Sequence, residues 1–265
     1  MEMREKSYSY LAAGLLAVSA SQFALSQTIT LDFDVDGFGE EIVHGQVVDN
    51  EYANLGVEIY GVNQGGGPDR SVAYSSTGMG RDSDLEANFS GGNAANTTGA
   101  EAGNLLIIQE NNTGCGDGIC DQPDDEGSRP AGELYIDFNR AIESTSFDLI
   151  DVEQVETTGA SLSLLDEDRM VIEGSELTFE SLGQQNGATF GDNFYNTIST
   201  IFFDALNLTK EVFGLKFDLG GSGAINNVSA TYTAVPEFDA STAPISLALL
   251  GGILALRREK NRRKK

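Results

Sequence analysis

Carboxylates dominate the chemistry open to this chain. Asp32, Asp34 and Asp36 lie in the run Asp32-Phe33-Asp34-Val35-Asp36-Gly37. Alternating hard oxygen ligands followed by a turn-permitting glycine are the opening of a calcium loop. The twelfth position, where an EF-hand places glutamate, is Val43, so this is no EF-hand. A strand that turns its aspartates outward has the same spacing, but three carboxylates on one strand face repel one another, and a cation relieves the repulsion. A second cluster is denser: Asp117, Asp121, Asp124, Asp125 and Glu126 lie inside or directly after the loop bounded by Cys115 and Cys120. If that loop is closed by a disulfide, cation binding orders less chain. Calcium is the expected cofactor at both places, and a solvated acidic hairpin tip is the alternative at the second.

Other chemistry is sparse. His44 is the single histidine, which removes paired-histidine zinc sites and leaves no triad without it. No nucleophile motif lies near it, so an ordinary turn histidine is expected. Arg70 and Arg81 flank Ser71-Val72-Ala73-Tyr74-Ser75-Ser76, where an exposed tyrosine with arginine would stack on sugars. Loop residues framing a strand are the simpler account.

The elements that must position these groups have a period of two. Ile29, Leu31, Phe33 and Val35 alternate with Thr30, Asp32, Asp34 and Asp36, one face buried and the other wet. Further strands are expected at 56–62, 71–74, 104–109, 133–138, 144–151, 160–165, 170–173, 176–179, 197–203, 211–219 and 224–232. Gly, Asp and Asn turns separate them, and no amphipathic helix stands out. The expected fold is all-β, an antiparallel jelly-roll-like β-sandwich. No fixed-period repeat argues for a propeller or solenoid.

The two ends have compositions of their own. In residues 1–26, Arg4 and Lys6 precede an apolar run from Leu11 to Val18, and Ala24-Leu25-Ser26 offers a cleavage site. This reads as a secretory signal peptide, well short of the ~20 residues that span a bilayer. Export places Cys115 and Cys120 in an oxidising compartment, where the only two cysteines are expected to pair. Residues 235–239 are followed by an apolar segment, 240–256, and a basic tail, 257–265. With its flanks the segment reaches across a hydrocarbon core of about 30 Å as a transmembrane helix, its basic tail cytoplasmic. Between these ends, residues 27–234 hold 36 acids against seven bases, a net charge of −29. Such a surface repels phosphate backbones, so nucleic acid is excluded as a partner.

The C-terminal arrangement resembles the PEP-CTERM class of bacterial sorting signals, which join a Val-Pro-Glu-Pro-like motif, a transmembrane helix and a terminal arginine cluster. Val235, Pro236 and Glu237 match by position, Phe238 replaces the second proline, and Arg257 and Arg258 begin the cluster. The resemblance implies recognition by an exosortase, a membrane-embedded transpeptidase-like enzyme, and association with extracellular polysaccharide. A plain membrane anchor that is never cleaved is the alternative.

Residues 28–232 resemble exported bacterial β-sandwich modules through Leu31-Asp32-Phe33-Asp34, Glu51 to Val57, Gly103 to Ile108 and Gly221 to Val228. That likeness implies a galactose-binding-like or carbohydrate-module-like sandwich and no catalytic activity. The expectation is an exported, surface-anchored, non-catalytic protein that binds carbohydrate, calcium or both. A carbohydrate-active enzyme using two carboxylates on the same scaffold is the competing class.

Overall fold

Alternating apolar residues build ten strands, and every pairing between them is antiparallel. The computed structural model describes residues 26–78, 82–94 and 102–233. The strands are β1 (Thr28–Leu31), β2 (Val57–Asn63), β3 (Ser71–Ser75), β4 (Asn104–Ile108), β5 (Gly132–Ile150), β6 (Ser161–Leu165), β7 (Leu177–Thr178), β8 (Tyr195–Phe202), β9 (Val212–Leu219) and β10 (Ala224–Tyr232). One helix, α1 (Phe179–Asn186), lies between β7 and β8. The expected signal peptide as far as Leu25 and the tail from Ala234, including the expected transmembrane helix, lie outside the described residues. Among the described residues no helix is long and apolar enough to cross a membrane.

Strand β5, 19 residues long, joins the sheet's two halves. Its first part, Gly132 to Phe138, pairs with β2 on one side and β9 on the other, and β9 continues to β6 and β7. Its last part, Ser144 to Ile150, pairs with β8 and β10, and β10 continues to β1 and β4, with β3 beyond β4. The register breaks between Asp137 and Ile142, where the chain bends. A strand passing between sheets by a bend is how a sandwich turns its corner. The halves close on one core, with the rings of Phe147 from β5 and Phe217 from β9 meeting edge-on at 4.9 Å. The all-β, sandwich-like expectation therefore holds.

Strand β4 is buried along its whole length. Leu106 and Ile108 enter the main core, whereas Leu105 and Ile107 join Val72, Tyr74, Leu85, Phe89 and the two cysteines in a second cluster. The cysteines form the expected disulfide, Cys115–Cys120. Its loop is pinned by the amide of Cys120 donating to Gly45 O at 2.7 Å. Gly45 has φ +85, and a Cβ there would fall 2.3 Å from Cys120 O, so the contact demands glycine.

Several expected elements differ. Strand β1 stops at Leu31, because Asp32 accepts the amides of Asp34 and Val35 and Phe33 turns to φ 60; side-chain capping competes with the ladder. The segments 133–138 and 144–151 are one strand rather than two. The segment 170–173 forms only a bridge from Val171 to Leu165. At 176–179 a two-residue strand gives way to a helix capped by Thr178, whose hydroxyl accepts from Ser181 N at 3.2 Å. Phe179 and Leu182, three apart, turn into the core and hold that helix.

Phe217→Ala removes the ring that Phe147 meets and is expected to cost about 3–5 kcal/mol in denaturant unfolding. Phe202→Ala, at a side chain 61% exposed, is expected to stay within about 0.5 kcal/mol.

Candidate functional site

The registers of β2, β5, β9 and β6 bring residues into rows across one sheet face, with Ser163 and Leu165 of β6 buried. Tyr60, Tyr135, Lys216 and Ser163 share one row, and Glu58, Asp137, Gly214 and Leu165 the next. The rings of Tyr60 and Tyr135 stack at 4.5 Å and 7°. Lys216 donates to Glu133 at 2.9 Å and pairs with Asp218 at 2.9 Å. Tyr135 OH donates to Glu133 at 2.6 Å. A Cβ on Gly214 would approach Asp137 Oδ1 to 2.9 Å, so glycine leaves room for that carboxylate.

Arg169 walls this face. It comes from the turn after β6, where Asp166 accepts the amides of Asp168 and Met170 at 3.0 and 2.9 Å. Its φ of 61 is a conformation that non-glycine residues adopt at a cost. The guanidinium lies 2.8 Å from Asp137 and 3.3 Å from Glu58, and 5.5 Å from the Tyr60 ring centre. Burial pushes the Asp137 carboxyl up, against the pull of the Arg169 charge. Between Glu58, Asp137, Glu167, Arg169, Phe138 and Phe213 opens a cleft of about 390 Å³. Planar aromatic edges, an arginine and several acceptors around a cleft suit a polyhydroxylated ligand.

A second arrangement gathers carboxylates. Asp82, Asp124 and Asp125 each offer an oxygen, all within 4.8 Å of one another. Oxygens bound to a single calcium at about 2.4 Å lie no more than about 4.8 Å apart, so the group fits that ion's span. Asp125 is 6% exposed and accepts the Gly223 amide. Burial pushes its carboxyl well above the usual range, and the hydrogen bond and charge of Asp82 push it further. Two hydrogen-bonded carboxylates need a shared proton, or a cation in its place. Nearby Asp151 accepts the Asn193 amide at 2.7 Å. Its carboxyl is pushed up to about 7, by burial first and then by the charges of Asp82, Asp84 and Asp192.

Of the residues singled out in the sequence, Asp124 and Asp125 enter this group. Its third member, Asp82, carries no motif; it arrives because Tyr74 OH donates to its carbonyl at 2.9 Å and accepts its amide at 3.1 Å. Asp117 accepts the Ile119 amide at 3.2 Å, and Asp121 lies beside Gly114. Glu126 is buried; burial would raise its carboxyl, yet hydrogen bonds from Ser128 and Asn63 hold it below the usual range. In the first run Asp36 accepts the amides of Phe38 and Glu40, while Asp34 accepts Asn104 N at 2.7 Å. With Asp32 holding its own turn, the three serve separate turns and contacts instead of lining one strand face. Tyr74, the sugar-stacking candidate, is fully buried, and Arg70 donates to Cys115 O at 3.3 Å. Arg81 lies outside the described residues. His44 accepts the Ser75 amide at 2.9 Å, and burial lowers its pKa.

Val235, Pro236, Glu237, Arg257 and Arg258 also lie outside the described residues. Residues 235–265 match the VPEID-CTERM protein sorting domain. The letters of that name read Val-Pro-Glu-Ile-Asp, against Val235-Pro236-Glu237-Phe238-Asp239 here, so the expected second proline has no place in this variant of the signal. A sorting domain of this kind implies export, a place at the cell surface and processing by an enzyme of the exosortase type. No curated protein matches the chain.

Asp151 gives a signed pH test. With a folded pKa of about 7 against an ordinary 3.8, the native state holds a proton that the unfolded chain has released between those values. Stability from this group therefore declines as pH rises through that window and is level above it. In chelator, Asp151→Asn is expected to gain stability relative to the parent from about pH 4 to about pH 7, read by denaturant unfolding. A constant difference between the two would exclude Asp151 as the titrating group.

Proposed function

We propose that this is a surface-anchored, non-catalytic protein that associates with extracellular polysaccharide. In this reading the apolar segment 240–256 spans the membrane with the basic tail 257–265 in the cytoplasm until an exosortase-type enzyme acts. The sorting domain carries the export and anchoring part. The carbohydrate part is carried by the row of Tyr60, Tyr135 and Lys216 beside the Arg169 cleft. The scaffold serves as a carbohydrate-module type of sandwich, in the jelly-roll or galactose-binding manner, with its ligand on an exposed sheet face.

Calcium is the proposed cofactor, at Asp82, Asp124 and Asp125. The support is chemical: an ion replaces the proton that Asp82 and Asp125 must otherwise share and is bound by oxygen ligands alone. Because apo repulsion is the driving force, Asp82→Asn is expected to raise the melting temperature in chelator. The same substitution should abolish the increase that millimolar calcium gives the parent by mass action. An undiminished calcium response in that variant would place the ion elsewhere.

One observation favours the enzymatic alternative. Asp137, its carboxyl raised by burial, and Glu58 line the same cleft, and paired carboxylates hydrolyse glycosides. A polysaccharide pull-down scored for both retention and released reducing ends separates the two readings. Retention without release, lost in Tyr60→Ala, is the expected result; release of sugar ends would make the protein a hydrolase. The intact mass of surface-released protein is expected to lack the Arg/Lys tail, and a product that keeps it would exclude processing.

A further inference from the structure

We infer that a second sugar-binding groove lies on the outer face of β1, β10, β5 and β8, where neutral hexopyranoses stack on Phe202 and hydrogen-bond to Ser144. This deepens the polysaccharide reading, on which it rests, by naming the glycan class and a further contact. The alternation that sends Ile29, Ala230 and Phe147 into the core turns hydroxyl side chains outward on the same strands. Register then aligns them: Thr28, Thr231, Ser144 and Phe202 form one row, and Thr30, Ser229 and Ser146 the next. The first row, with Ser146 and Ser229, lines a groove of about 470 Å³.

Two side chains mark this groove for a ligand. Ser144 is 3% exposed, yet among the described residues nothing bonds its hydroxyl, which keeps a donor and two lone pairs for a group arriving in the groove. Buried hydroxyls are rarely left so. Phe202, its partner across the ladder from β5 to β8, is 61% exposed and sets an aromatic surface beside that hydroxyl. Around them the hydroxyls are paired, Thr28 with Thr231 at 2.9 Å and Thr30 with Ser229 at 2.8 Å. Each pair uses one of its two protons, so the other is free to donate, and sugar hydroxyls answer as both donors and acceptors. Charge decides among sugars. Among the described residues Glu143 is the only charged side chain lining the groove. A uronate therefore finds no base and meets a body of net charge −29, while an amine finds a single exposed carboxylate. An uncharged ring, apolar on its C–H faces and hydroxylated at its edge, matches both walls.

The test is titration calorimetry of the purified protein carrying Tyr60→Ala, which removes the first surface. The probes are neutral gluco-, galacto- and manno-hexasaccharides, an oligouronate and a glucosamine oligosaccharide with free amines. At least one neutral hexasaccharide is expected to bind, tighter than either charged probe and equally at low and high salt. Adding Phe202→Ala, a change the fold tolerates, is expected to weaken it about ten-fold or more, and adding Ser144→Ala about three-fold or more. On the parent, Phe202→Ala is expected to lower the stoichiometry by one site, which reports even where Tyr60→Ala impairs folding. A long polysaccharide engages both surfaces at once, so its retention in a pull-down falls when either is lost. Neutral binding that vanishes with Tyr60→Ala alone, or that survives either addition, overturns the inference and leaves the glycan-binding reading standing. Tighter binding of the uronate or the amine form does the same. Failure of every probe to bind parent and variants overturns both. Self-association abolished by Phe202→Ala, with sugar binding unaltered, would make this face a contact between copies and overturn the inference.

Discussion

The fold depends on the continuous pairing of β5, because that one strand belongs to both halves of the sheet. Its first part is hydrogen-bonded to β2 and β9 and its last part to β8 and β10. The alternation that sends Leu134, Ile136 and Phe138 into the core sends Glu133, Tyr135 and Asp137 to the opposite face. A slip of one residue in this strand would exchange the two sets, burying three polar side chains and exposing three apolar ones. Core and opposite row are thus fixed by one register, and the row inherits the rigidity of a central strand.

The second constraint is an excess of carboxylates over bases, met in two ways and left standing at one place. Some acids turn inward on the backbone: Asp32, Asp36 and Asp166 accept amides within their own turns, which stabilises bends and spares the strands. Others take the few bases available, as Glu133 and Asp218 take Lys216, and Glu153 and Glu156 take Arg129. Asp82 and Asp125 also accept amides, those of Asp84 and Gly223, but no base joins them, and the two acids share a hydrogen bond with Asp125 buried. The site is recognisable by that exception, since burying carboxylates together is costly unless a proton or a cation joins them.

The sequence told most where chemistry was local. Strand β10 falls at the residues its alternation marks, and Cys115 and Cys120 pair as two cysteines in an exported loop should. The bend in β5 was not legible: the alternation marks two strands, 133–138 and 144–151, while the chain runs on as one strand that changes sheet. The alternation of Asp32, Asp34 and Asp36 misled for a related reason: side-chain capping ends the strand at Leu31, and a pattern of types does not disclose which carboxylate bonds to which amide. The rows on the sheet face were invisible since Tyr60 and Tyr135 are 75 positions apart and meet only through register. Asp82 was missed likewise, as contacts distant in sequence, with Tyr74 and through Asn193 on the carbonyls of the same loop, hold it near Asp125.

Electrostatics links the two proposed sites. A body of net charge −29 held at a cell surface repels anionic polymers over about a Debye length, roughly 8 Å at physiological ionic strength. In the proposed reading, divalent cations held at Asp82, Asp124 and Asp125 would offset part of this charge. The carboxylate group lies among loops beside the disulfide-bounded segment, where ligands can adjust round an ion. The cleft is framed by central strands and by one arginine held in a strained turn, where adjustment is small and shape decides. A cation at the carboxylates would lower the negative potential of the body. Such an ion would thereby reduce the repulsion that the approach of an anionic chain must overcome.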